Sequence, residues 1–231
     1  MSADPIAMHI SALEVTLRGP RRTRRDLISE ARAGLWDAAT AYREGGLPAD
    51  QAAVRAVRDF GTVGEVAPDF QDELTARQGR WSALLFALVF PGMMLAWDLF
   101  WALGWTSKAA GPAAPMVGVL SSVEDTATLV IAAVAVLLLA VTFRRSVPAH
   151  LLTRAIGVTG VTGALLCGGL ALAMNMAGTH RAAAYVVTNP CAIGAYVGSA
   201  VVMLLIIWQS LRTLRVARAS SLTKESGAVR T

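Results

Sequence analysis

The chain has 231 residues, 55% of them hydrophobic and 16% charged, with a mean hydropathy of +0.51. A soluble domain carries roughly 25% charged residues, so a wholly soluble fold is excluded. Residues 1–80 hold 11 basic and 12 acidic side chains and residues 81–231 hold 10 and 4, so the net +5 comes from the second part. That balance points to orientation in a bilayer and away from nucleic acid. The sequence offers no basic stripe with interleaved aromatics, and nucleic acid is not expected as a partner.

The first 30 residues contain no continuous apolar run ending in a small-residue cleavage site, so no signal peptide is expected. Ile6, Ile10, Leu13 and Leu17 recur at helical spacing and predict a short amphipathic helix that Gly19-Pro20 ends. A second helix follows, with an apolar stripe of Ile28, Ala31, Leu35, Ala38 and Tyr42, closed by Gly45-Gly46. Pro48 suits the first turn of a third, which carries Ala52, Ala53, Ala56, Val57 and Phe60 and stops at Gly61. Thr62 with Glu65 is a candidate capping box for a fourth helix, with Val66, Phe70 and Leu74 on its apolar face. Pro68 predicts that this helix kinks or starts later. Residues 1–79 thus read as a small all-α head with a modest, alanine-rich core.

These residues carry a resemblance. Glu30, Arg32, Leu35, Asp37 and Ala38, then Gly45-Gly46, Ala52, Ala53 and Ala56, and Phe60-Gly61, resemble the HAAS-type helical domain, also called permease prefix domain 1. It covers about residues 4–75. Gly34 stands where the family often has His, and Gly61-Thr62-Val63 where it often has Gly-Asp-Pro. The resemblance implies a bacterial, especially actinobacterial, membrane protein. It also implies an interaction module of the kind encoded beside PadR-like regulators or fused ahead of ABC-type permeases. It implies no catalytic residues.

Trp81 to Trp105 is long enough to cross a bilayer, which takes about 20 apolar residues, and holds one charge, Asp98. Further spans are expected at about 126–143, 156–176 and 190–211, giving a four-helix membrane body over 80–211 and a basic tail at 212–231. Arg77 and Arg80, then Arg144, Arg145 and Arg154, then Arg212, Arg215 and Arg218 mark the head flank, second loop and tail as cytosolic. The first loop, 106–125, holds Lys108, Glu124 and Asp125, and the third holds only Arg181. The expected location is the plasma membrane, multi-pass, with both termini in the cytosol. Trp81, Trp101, Trp105 and Trp208 lie near span ends, where interfacial belts form.

Gly160, Ala164 and Gly168, and Gly194 with Gly198, form rows of small residues that let helices approach. They are expected to pack within the bundle, a homodimer contact being the alternative. Asp98 reads as a candidate in-membrane polar site, or as a hydrated carboxyl bonded to a neighbour such as Asn175 or Asn189. Cys167 and Cys191 lie at different depths, which disfavours a disulfide.

No phosphate-binding loop, dinucleotide fingerprint, zinc motif or nucleophile elbow occurs, and no enzyme, cofactor or metal is expected. His9, His150 and His180 fall on different segments and are each expected to be solvated. The expected function is a membrane-bound regulatory protein whose head docks a protein partner, with Arg25, Arg32 and Asp37 as the candidate docking surface. A small transport component or permease accessory is the alternative, and a membrane scaffold a third reading.

Overall fold

The computed structural model describes residues 4–103, 115–144, 147–177 and 190–228, with only the backbone of 219–228. Among the described residues the chain is all helix, in seven segments: α1 Pro5–Thr16, α2 Arg21–Glu44, α3 Ala49–Phe60, α4 Val63–Ala102, α5 Pro115–Val141, α6 Ala149–Ala177 and α7 Pro190–Ala228. Trp105, Lys108, Arg145, His180, Arg181 and Asn189 lie outside the described residues.

Two compact units divide the chain. One comprises residues up to 78 with 149–151 and 215 onward; the other comprises 79–148 and 152–214. In the first unit, Asp4 caps α1 by accepting from the Ile6 N–H at 3.0 Å, and Pro5 takes the first helical position. Ile6, Ile10, Leu13 and Leu17 are all buried, as their spacing predicts. They meet Leu27, Ile28, Ala31, Leu35 and Ala39 of α2, Ala53 and Ala56 of α3, and Ala67 and Leu74 of α4.

Glycine is required where α2 ends. Gly46 has φ of 96°, a left-handed conformation, and the chain leaves the helix in a Schellman motif. The Leu47 N–H reaches the Tyr42 carbonyl at 3.1 Å and the Gly46 N–H the Arg43 carbonyl at 3.0 Å. Between α1 and α2, the buried Gln71 side chain satisfies the turn: Nε2 donates to the Arg18 carbonyl at 2.8 Å, and Oε1 accepts from the Arg18 N–H at 2.9 Å.

α4 starts at Val63, so the expected later start is corrected. Glu65 accepts from both the N–H and the hydroxyl of Thr62, each at 2.7 Å, and the helix is unbroken from Val63 through Pro68, Pro91 and Gly92. Pro68 leaves the Gly64 carbonyl without its helical donor, but that carbonyl lies in the first turn, where Gly64 is exposed to water.

In the second unit α4, α5, α6 and α7 are each long and apolar enough to cross a membrane. Phe86 and Phe90 of α4, Ile131 and Ala135 of α5, Ile156, Ala164 and Cys167 of α6 and Ile206 of α7 form its core. Leu88, Leu137, Leu165 and Leu204 point outward, as a lipid-facing surface requires. The chain thus has the make-up of a multi-pass membrane protein.

The last three helices run beyond the expected spans. α5 opens at Pro115, not near 126, so Glu124 and Asp125 lie inside it and not in the preceding loop. α6 opens at Ala149, placing Arg154 in the helix, and α7 continues past 211 to Ala228, so the basic tail is largely helical. Charge marked these stretches as loops. The helix instead satisfies its own backbone and turns charged side chains outward: Asp125, Arg154 and Arg215 are exposed.

Candidate functional site

Arg25, Arg32 and Asp37 are all exposed on α2. They do not share a face. At about 100° per residue Arg25 and Arg32 nearly coincide, while Asp37 falls roughly 140° from Arg32. Its line is that of Asp26, Glu30 and Glu44, and Glu30 forms an ion pair with Arg77 of α4 at 3.7 Å. None of Arg25, Arg32 and Asp37 has a hydrogen bond or ion pair within the described residues.

Arginine also crowds the start of α2, at positions 21, 22, 24 and 25, and the first turn has no acidic residue. Positive charge there opposes the helix dipole, at about 0.3–1 kcal/mol for each well-placed charge. Arg24 offsets part of this by donating to the Leu17 carbonyl at 3.2 Å. The others face water.

Beyond these arginines, α2 and α3 enclose a groove of about 670 Å³ with Trp36, Thr40, Arg43, Ala49 and Val54 among its lining residues. Trp36 is 49% exposed and Val54 55%. Trp36 belongs to no motif, and its position outside the Ile28–Leu35 stripe is the one signal of it in the sequence. Across the α2–α3 contact, Tyr42 and Arg55 both donate to Asp59 Oδ2, Arg55 at 2.9 Å. The Tyr42 hydroxyl, then Arg55, hold the Asp59 carboxyl below its usual range.

His9 is not solvated. It is 9% exposed, its ring meets Phe60 edge-on at 5.6 Å, and its Nε2 is buried without a partner among the described residues. Burial pushes its pKa below the ordinary value. His150 is half-buried.

In the membrane body, Asp98 is exposed on α4, and among the described residues nothing hydrogen-bonds it. Of the two expected readings, this exposure is that of a hydrated carboxyl. Asn175 is not its partner, since Nδ2 donates to the Ala171 carbonyl of its own helix at 2.9 Å. Trp97, beside it, takes the inward position, donating to Ser199 at 3.1 Å and packing on Tyr196 at 5.1 Å. Glu124 of α5 is half-buried one turn before Thr128, whose hydroxyl lies 3.6 Å from the Cys167 sulfur. Both cysteines are free.

The small residues separate into two groups. Gly160 and Ala164 are buried, and a Cβ on Gly160 would overlap Phe86 and the Ser210 hydroxyl. Gly157 and Gly163 are equally tight, with a Cβ falling 2.8 Å from Leu214 and 2.7 Å from Phe90. Gly168, Gly194 and Gly198 are exposed and meet nothing within 4 Å, so their expected packing role inside the bundle is corrected. α6 approaches its neighbours along a face one turn nearer its start.

A buried polar ladder joins α4 to α7. Gln209 Nε2 donates to the Ser82 hydroxyl at 3.1 Å, Ser82 and Thr213 hydroxyls lie 2.8 Å apart, and Thr213 donates to the Gln209 carbonyl at 2.9 Å. With the Thr213 hydrogen so used, Ser82 is the donor to Thr213.

The fold and these groups define an all-helical, multi-pass membrane protein with a helical head. No family model matches the chain, and neither a curated protein nor a solved structure matches it.

Proposed function

We propose that this is a membrane-anchored regulatory protein whose cytosolic head docks another protein. The observation that carries the reading is the exposed, unpaired Arg25 and Arg32 on a head that closes its own core without them. Charges that folding does not use are what a docking surface retains. The HAAS-type resemblance names two partner classes, a PadR-like regulator and an ABC permease component.

Support for a cytosolic head and tail comes from the first compact unit. It gathers the start of α6 and the end of α7 with the head. The end of α7 carries Arg215 and Arg218, and residues 149–151 lie in sequence between Arg144-Arg145 and Arg154, the basic stretches that the positive-inside rule assigns to the cytosol. The plasma membrane follows as the location. A homodimer would have the outward Gly194 and Gly198 available for close approach.

The test is affinity purification of the full chain after cross-linking in intact cells, beside a variant carrying Arg25→Glu and Arg32→Glu. The reading expects a regulator or permease subunit with the wild type and its loss with the variant. Equal recovery from both, or from a chain lacking residues 1–62, overturns it.

A further inference from the structure

α2 carries two parallel charged stripes. Arg21, Arg25, Arg32, Trp36 and Arg43 follow one another at spacings of four, seven, four and seven, and all five are exposed. Such spacing keeps side chains on one helical line. Asp26, Glu30, Asp37 and Glu44 hold the adjacent line, and its Glu30 is paired with Arg77. The acidic line is thus turned toward a cation of this chain. Among the described residues the four arginines of the basic line have no ion pair or hydrogen bond. By contrast, Arg55 and Arg58 of α3 both sit against Asp59.

Trp36 interrupts the arginines where the line meets the groove between α2 and α3, which Val54 also lines. Residues 21 to 43 span about 33 Å at 1.5 Å per residue, the length of roughly six helical turns. Building on the docking reading, we propose that this line seats an acidic amphipathic helix of a partner protein. Carboxylates of that helix pair with Arg21, Arg25, Arg32 and Arg43, and one large apolar side chain enters beside Trp36 and Val54. Tryptophan and arginine are the residues on which binding energy concentrates. The charged pairs lie at the rim, so they set approach rate, register and salt sensitivity more than affinity.

Two other occupants fit less well. A nucleic acid backbone would bring phosphates against the acidic line one helical step away, and the head as a whole carries more acidic than basic groups. An anionic membrane surface would leave the groove beside Trp36 unfilled, since a flat sheet of headgroups presents no side chain to enter it.

The test replaces Trp36, and in a second strain Asp37 on the acidic line, with the photo-reactive residue p-benzoylphenylalanine in the full chain. Both strains are irradiated in the cells that carry the protein, and the cross-linked peptide is identified by mass spectrometry. The expected result at Trp36 is one acidic helical segment of another protein. Adding Arg25→Glu and Arg32→Glu should cut the yield at least about tenfold with helix content unchanged, and high salt in isolated membranes should cut it as well. Cross-links at Trp36 to lipid alone, to nucleic acid, to a second copy of this chain or to a neutral or basic segment overturn the proposal. Capture from Asp37 but not Trp36 overturns it and leaves the docking reading standing. Capture from neither position overturns both.

Discussion

His9 shows how one side chain ties the head to pH. Its ring is buried against Phe60 and its pKa is lowered by that burial. The unfolded chain takes up a proton near pH 6.5, whereas the folded head resists until lower pH. The unfolded state therefore binds more protons across that window, so stability is full above about pH 6.5 and falls as pH drops below it. His9→Phe should flatten this slope, read as the thermal midpoint of the full chain in detergent between neutral and mildly acidic pH. A slope unchanged by His9→Phe would place the titration elsewhere. Leu35 is the complementary case. It is 1% exposed in the middle of the head core, so Leu35→Asp buries an unpaired charge and should cost at least about 4 kcal/mol. Loss of head protection from protease, with the membrane body still inserted, is the expected readout.

At the scale of elements, α6 separates two kinds of glycine. Gly160→Val should lower stability by about 1–3 kcal/mol, because the added carbons overlap Phe86 and Ser210. Gly168→Val, which meets open space, should change little. Comparable thermal midpoints for the two variants would contradict the packing described. Ser82→Ala removes the hydroxyl that serves both Gln209 and Thr213 and should cost about 0.6–1.7 kcal/mol. The same elements show what the sequence can express. α1 to α3 were legible because each pairs a 3–4 periodicity with Gly or Pro punctuation, and every stripe residue named from spacing is buried or half-buried. In the apolar helices spacing fails, since Gly160 and Gly194 look alike on paper while one is packed and the other open. The start of α5 was obscured because Glu124 and Asp125 resemble loop residues. The arginines of α2 were visible, and once the helix is given, spacing alone sets Asp37 on a different line from them. His9 was misjudged because its imidazole counts as polar in a sequence while its carbon edge packs like a small aromatic ring.

For the whole molecule, reporter fusions give the decisive check on orientation. Fusions in 104–114 should report outside, and those in 144–148 and at the C-terminus inside; a C-terminus outside the cell would overturn the arrangement. Asp98→Asn should insert and accumulate like the wild type, because the carboxylate serves no bond within the described residues. The composition of the first compact unit has a consequence for biosynthesis. Translation runs from the N-terminus at about 5–20 residues per second, so the helices of the head emerge on the order of ten seconds before residues 215 onward. Those late residues, with Val216 and Ala217 buried, nonetheless group with the head. A nascent chain therefore holds the head core of α1 to α4 before it holds the segment with Val216 and Ala217. A chain ending before residue 215 should therefore show its first unit cut faster than that of the full chain in limited proteolysis of isolated membranes.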